Sequence, residues 1–261
     1  MNNNKYALIT GASSGIGYEF ALRLDSLGYN TIIVARRESK LIELKNKLKN
    51  ESIIITSDLS NIDSCKELLN KASNYDIDLF INNAGFGDFN LFKDANTSKI
   101  IEMVDVNVKA LTYLMKGMID QFIPKNRGLI INVSSIAGFL PGGPYMSVYY
   151  ATKSYVTSLT RGVAFELKNT NVRVKALTPG PVRTEFNDVA NCKFSINSIS
   201  KEKCVNYAIK KMNKKGVIIA PSLGVRITAL FSRFVPTNLL IKICSHAQKK
   251  ENLAIAHFYY S

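Results

Sequence analysis

The chain has 261 residues, 46% apolar and 21% charged, the balance of a globular protein able to bury one sizeable core. Its four cysteines (Cys65, Cys192, Cys204, Cys244) and two histidines (His246, His257) keep no paired or metal-ligand spacing, which argues against a disulfide framework and a zinc site. The formal net charge of +14 raises nucleic acid and anionic membrane as partners, so its distribution along the chain has to be weighed.

The polar start "MNNN" lacks the basic, then apolar, then small-residue order of a secretory signal. No run of about 18 uninterrupted apolar residues follows anywhere, so no spanning helix is predicted and a cytoplasmic protein with reduced thiols is expected. "KYALIT" (5–10) reads as a buried strand, and "IGYEFALRLDSLG" as a helix stopped by Gly28. Between them "TGASSGIG" (10–17) is a glycine-rich turn at a helix N-terminus. Gly11, Gly15 and Gly17 let backbone approach a ligand closely, and the free N–H groups and helix dipole suit a phosphate. Gly11, Ser13, Ser14, Gly15, Ile16 and Gly17 are therefore the expected contacts of a dinucleotide.

"NTIIVA" (30–35) is the second strand. An acid just after it would bind both ribose hydroxyls and repel a 2′-phosphate; the chain has Arg36 and Arg37 there instead. Guanidinium groups pair strongly with phosphate, so NADP(H) is preferred over NAD(H). A helix over 38–50 and a third strand "SIIITS" (52–57) follow. Asp58, with Leu59 beside it, is placed to accept from an adenine amino group or, equally, to serve as a capping residue ahead of Asn61. A helix over about 61–73 and strands at 78–83, 128–135 and 172–179 complete the series, with 216–220 as a late edge strand. Strands separated by helices require crossover connections, hence a doubly wound α/β fold with a parallel sheet covered on both faces. Each motif follows a strand, where such sheets bind ligands.

"TGASSGIG", "NNAG" (82–85), Asn107, "INVSS" (131–135), "YYATK" (149–153) and "PGPVRTEF" (179–186), in this order, resemble the short-chain dehydrogenase/reductase family over roughly residues 5–190. The resemblance implies one Rossmann-type domain of about seven parallel strands. Residues 1–190 would form the cofactor-binding and catalytic core, and 191–261 a substrate-cleft and basic helical region. It also implies a homodimer or homotetramer, and hydride transfer between a nicotinamide and a carbonyl or alcohol. Its catalytic pattern maps onto Asn107, Ser135, Tyr149 and Lys153.

Free tyrosine, with a pKa near 10, is a sluggish base at neutral pH, and a nearby ammonium group corrects this by stabilising the phenolate. Lys153 lies four residues after Tyr149 and three after Tyr150, and helical geometry alone admits either as its partner. The family's Y-x-x-x-K spacing selects Tyr149. Ser135 is expected to donate to the developing alkoxide. By resemblance, Lys153 also holds the nicotinamide ribose and Asn107 positions a water. Asn83, Ala84 and Gly85 pack on the adenosine side, while Pro179, Gly180, Val182 and Thr184 close over the carboxamide. Ser135 and Tyr149 are separated by one residue more than is usual in the family, with the insertion expected in "PGGP" (141–144).

Phe86, Phe89, Phe139, Leu140, Tyr145, Met146, Pro181, Phe186 and Val189 are the expected pocket walls, which suits a small apolar ketone, aldehyde or alcohol. From 201 to the end, eleven Lys/Arg face two Asp/Glu, a surplus of nine in the last quarter. No aromatic–basic interleaving of an RNA-binding module accompanies it, so nucleic acid is not expected. The apolar and basic stretch 222–250, broken by Pro236, reads as a helix pair beside the cleft, with peripheral membrane contact as the alternative. An NADP(H)-binding sensor without turnover is the rival to an enzyme, and the intact Tyr149/Lys153 pair weighs against it.

Overall fold

The computed structural model describes residues 5–186, 190, 198–232 and 234–259. In chain order the first half runs β1 (Tyr6–Thr10), α1 (Gly15–Ser26), β2 (Asn30–Ala35), α2 (Glu38–Lys45), β3 (Ser52–Thr56), α3 (Ile62–Ala72), β4 (Ile77–Asn82) and α4 (Thr97–Val104). There follow α5 (Leu111–Phe122), β5 (Gly128–Val133), α6 (Ser147–Glu166), β6 (Val172–Leu177), β7 (Val182–Arg183) and β8 (Ile199–Ser200). The chain closes with α7 (Lys201–Met212), β9 (Ile218–Ile219), α8 (Leu223–Phe231) and α9 (Thr237–Tyr259).

Seven strands form one sheet in the order β3-β2-β1-β4-β5-β6-β9, and every ladder in it is parallel. This is the doubly wound Rossmann-type sheet expected, with the predicted edge strand present as β9. β7 and β8 form a second, two-stranded parallel ladder that the sequence pattern does not announce.

The strands are short, buried runs rich in Ile, Val and Leu, which is what a sheet covered on both faces requires. Alternation sends Ala7, Ile9, Ile33 and Ile131 to one face, against Phe20, Leu24 and Leu41. Leu8, Ile32, Phe80 and Ile130 go to the other, against Leu68, Leu114 and Phe122. The winding reverses between β1 and β4, which are neighbours in the sheet but lead to helices on opposite sides. Their carboxyl ends therefore diverge, and that opening is the crevice.

Two elements differ from expectation. α2 ends at Lys45 rather than near 50. The buried Asp25 carboxylate, at the end of α1, accepts the backbone N–H groups of Lys49 and Asn50 at 2.9 and 2.8 Å and draws the chain out of the helix. Between α4 and α5 the helix widens into a π-helical stretch, Asp105–Ala110, which contains Asn107. Such a stretch turns one extra residue inward and recurs at functional sites.

The stretch 222–250 folds as the expected helix pair. Pro236 separates α8 from α9, its carbonyl accepting the N–H groups of Leu239 and Leu240. Among the described residues no helix is long and apolar enough to cross a membrane.

Candidate active site

The glycine turn is built by close approach. Gly11 has φ +65° and Gly15 φ +59°, values that strain any residue with a Cβ. A Cβ on Gly17 would stand 2.4 Å from the Gly11 carbonyl oxygen and 2.5 Å from Asn83 Nδ2. Ser14 caps α1 without a side-chain cap hydrogen bond, and the first turn holds no acid. The orphan N–H groups there are left for an anion.

Asn83 ties this turn to the end of β4. Its Nδ2 donates to the Thr10 and Gly11 carbonyls at 2.8 and 3.2 Å, while Thr10 Oγ1 accepts from the N–H groups of Asn83 and Ala84 at 3.0 and 3.1 Å. Arg36 and Arg37 follow β2 as predicted. Arg36 pairs with Glu102 on α4 at 2.6 Å. Arg37 reaches Ser13 in the glycine turn at 3.2 Å and Glu185 beyond β7 at 3.0 Å. Each arginine is about half exposed. Such pairs contribute less than about 1 kcal/mol, so an incoming phosphate competes for the guanidinium groups on favourable terms. The glycine cradle, the uncapped helix start and the two arginines fit a dinucleotide carrying a 2′-phosphate.

The other end of the crevice holds Ser135, Tyr149 and Lys153. Lys153 is buried on α6, with Nζ donating to the Val133 carbonyl at 2.9 Å and lying 5.7 Å from the centre of the Tyr149 ring. Burial pulls its pKa down from 10.5 to about 8, because the low-dielectric surroundings disfavour the charged form. The Tyr149 ring lies 5.4 Å from that of Phe186, and that of Tyr150 edge-on at 6.4 Å. Ser135 starts a turn after β5, its Oγ accepting from the Ala137 N–H at 3.2 Å. Ser134 is committed to packing α6, bonded to the Lys153 carbonyl and to Thr157.

Every predicted site residue except Gly17 and Asn107 lines one continuous cleft of about 460 Å³. Gly17 stands behind the turn. Asn107 is fully buried and clamps the loop after β4: it accepts from Phe86 N–H at 3.0 Å and donates to Phe86 C=O at 2.9 Å and Thr152 Oγ1 at 3.1 Å. Asp58 lines the cleft, and its Oδ1 accepts from Ser60 N–H in the turn before α3. The N-cap of α3 is Asn61 itself.

The apolar walls are corrected in part. Phe86, Met146, Pro181 and Phe186 line the cleft, but Phe89, Phe139, Leu140 and Tyr145 do not. Phe89 stacks on Tyr145 at 5.3 Å, and the Arg161 guanidinium lies over Phe139 at 5.3 Å. Val189 lies outside the described residues. The loop with the extra residue is pinned by Tyr145, which adopts φ +69° and accepts the Asn90 N–H at 2.8 Å. Two contributors have no functional reading in the sequence, Thr10 and Glu185, and Tyr150 stands there only as the alternative to Tyr149. Tyr150 faces the same cleft as Tyr149, and its hydroxyl accepts from Gln248 of α9 at 2.8 Å.

Comparison with known proteins agrees with this geometry. The family model of the short chain dehydrogenases matches residues 5–194. A 3-oxoacyl-[acyl-carrier-protein] reductase of Rickettsia prowazekii is 37% identical over 192 residues, covering 72% of this chain and 77% of that protein. A short-chain dehydrogenase from Sphingobium yanoikuyae, solved in complex with NADPH, superimposes with a TM-score of 0.80 at 28% identity, covering 88% of this chain and 93% of the other. The bulky-bulky ketone specific alcohol dehydrogenase from Comamonas testosteroni gives 0.74 at 29% identity, covering 87% and 91%.

Two outcomes follow from the geometry. Gly17→Ala should lower stability by about 1–3 kcal/mol through overpacking and weaken dinucleotide binding, read from the denaturant midpoint and a cofactor titration. The second concerns Lys153, whose folded pKa of about 8 lies below its ordinary 10.5. The unfolded chain then binds more protons between these values, so stability gains with rising pH across that window and the burial cost is full below about 8. Lys153→Met should abolish this gain, so that the stability of wild type relative to the variant rises from pH 8 towards 10 in thermal unfolding.

Proposed function

The chain belongs to the short-chain dehydrogenase family, oxidoreductases acting on carbonyl or hydroxyl groups, and on that premise we propose that it reduces an apolar ketone or aldehyde with NADPH, or runs the reverse oxidation. The observation that carries the reading is one cleft with a phosphate cradle and two arginines at one end and Tyr149 above a buried lysine at the other. The NADPH complex of the Sphingobium protein and the ketone specificity named for the Comamonas enzyme support it.

A bound reduced nicotinamide supplies the hydride. The protein's part is to place and protonate the oxygen. Tyr149 gives its hydroxyl proton to the carbonyl oxygen as general acid. Lys153, largely protonated at pH 7, favours the phenolate that this leaves behind. Ser135 Oγ donates to the same oxygen as charge develops there. Phe86, Met146, Pro181 and Phe186 keep water from the reacting carbon and select for apolar substituents. Arg36 and Arg37 exchange their carboxylate partners for a 2′-phosphate, and Asn107 holds the backbone of the Phe86 loop in place. A homo-oligomer in the cytoplasm completes the reading.

Consumption of reduced cofactor against a panel of apolar ketones, aldehydes and quinones tests this. Wild type should turn over with NADPH. Tyr149→Phe should lose about 10²–10⁴-fold in kcat, while Tyr150→Phe retains most of it. Equal losses in both variants would sink the assignment, and tight NADPH binding without turnover on any substrate would favour a sensor. Replacing Arg36 and Arg37 together by alanine should raise KM for NADPH about tenfold or more, through lost charge-assisted bonds, and leave KM for NADH nearly unchanged. A parallel rise for both cofactors would remove the arginines from 2′-phosphate recognition.

A further inference from the structure

The last two helices carry apolar residues on the outside. Val225 is the only buried residue of α8, while Ile227, Leu230 and Phe231 are exposed on it, and Phe234 just beyond is 78% exposed. The spacing of Ile227, Leu230 and Phe231 by three and four residues puts those three on one helical face, and Phe234 follows in the turn. On α9, Leu239 and Ile243 are exposed one turn apart, with the exposed Lys242 beside them. Exposed apolar side chains clustered on successive helices in this way mark a surface that something covers.

Charge indicates what that is. The stretch 222–250 contains five Lys/Arg and no Asp/Glu, within a quarter of the chain that carries a surplus of nine positive charges. A symmetric contact between two copies sets a patch against itself and would bring those cations together. An anionic surface neutralises them while the apolar side chains enter it. An apolar helical face with an exposed lysine beside it, as Lys242 is here, is the pattern of helices lying in a membrane interface. Among the described residues no helix can cross a bilayer, so the contact is peripheral.

We propose that the exposed face of α8 and α9 docks on an anionic lipid bilayer. The same helices border the cleft: a Cβ on Gly180, a cleft residue, would stand 3.3 Å from Val225, and Gln248 of α9 holds the Tyr150 hydroxyl. Docking thus sets the cleft wall beside the lipid, where apolar molecules concentrate. The docking itself does not rest on the reductase reading, since it needs only the surface.

The test is co-sedimentation of the full chain with vesicles of phosphatidylcholine alone, or with about one third phosphatidylserine, at low and moderate salt. The expected result is pelleting with the anionic vesicles at low salt, weakened by added salt, and at least about tenfold weaker partitioning of the Phe231→Ser/Phe234→Ser double variant. Absence of wild-type pelleting on anionic vesicles at low salt overturns the proposal, as does equal pelleting of the double variant. A double variant that converts an oligomer to monomer in size-exclusion, with no vesicle binding by wild type, also overturns it and makes the face a subunit contact. No readout requires turnover, so a failed reductase assay leaves this result intact.

Discussion

The side chain of Asn83 bridges the crevice at the point where the sheet changes winding direction, and it ties the glycine turn to the end of β4. β1 and β4 are adjacent in the sheet but send their chains to opposite faces, so nothing in the ladder holds the segments beyond them together. Asn83 Nδ2 satisfies two carbonyls of the glycine turn, and Thr10 Oγ1 returns the favour to two N–H groups of the β4 extension. These are short, buried or half-buried bonds between groups that would otherwise be orphaned, and each lost partner would cost about 1–3 kcal/mol. Gly17 must be glycine because this amide occupies the space a Cβ would take. The glycine turn is thus fastened to the end of β4 by its own hydrogen bonds.

The reactive end rests on a second constraint, a cation held in an apolar place. Lys153 finds one backbone acceptor, Val133, and no carboxylate within bonding distance among the described residues. A carboxylate there would have kept the ammonium charged but neutralised its field at Tyr149. A lone carbonyl leaves the positive charge directed at the ring, and the lowered pKa is the cost of that choice. The surrounding elements keep the arrangement tight. Ser134 fastens β5 to α6 through the Lys153 carbonyl, and Asn107 fastens the loop after β4 to Thr152, the neighbour of Lys153.

Much of this was legible in the sequence where the physics is local. A strand such as "NTIIVA" reveals itself because a two-sided parallel sheet admits little else, and the glycine turn because positive φ and close approach demand glycine. What stayed hidden is decided by distant partners. The early end of α2 depends on Asp25, more than twenty residues back. Whether an aromatic lines the cleft or packs away depends on finding a partner such as Tyr145 for Phe89 or Arg161 for Phe139. The type of Asn107 was readable, but the direction of its amide follows from the π-helical widening, which no periodicity in "DVNVKA" betrays.

The two ends of the cleft are not independent. Arg37 touches the glycine turn through Ser13 and the segment after β7 through Glu185, so one guanidinium spans the opening. Glu185 sits between Thr184, whose Oγ1 accepts the Phe186 N–H, and Phe186, whose ring packs on Tyr149. An exposed pair of this kind is weak, and a phosphate of nearly two charges outcompetes a single carboxylate for the same fork-shaped donor. On the proposed reading, the exchange of Glu185 for a 2′-phosphate frees the segment that ends against the acid. Arg37 and the Tyr149 ring are thus linked through Glu185 and its chain neighbour Phe186.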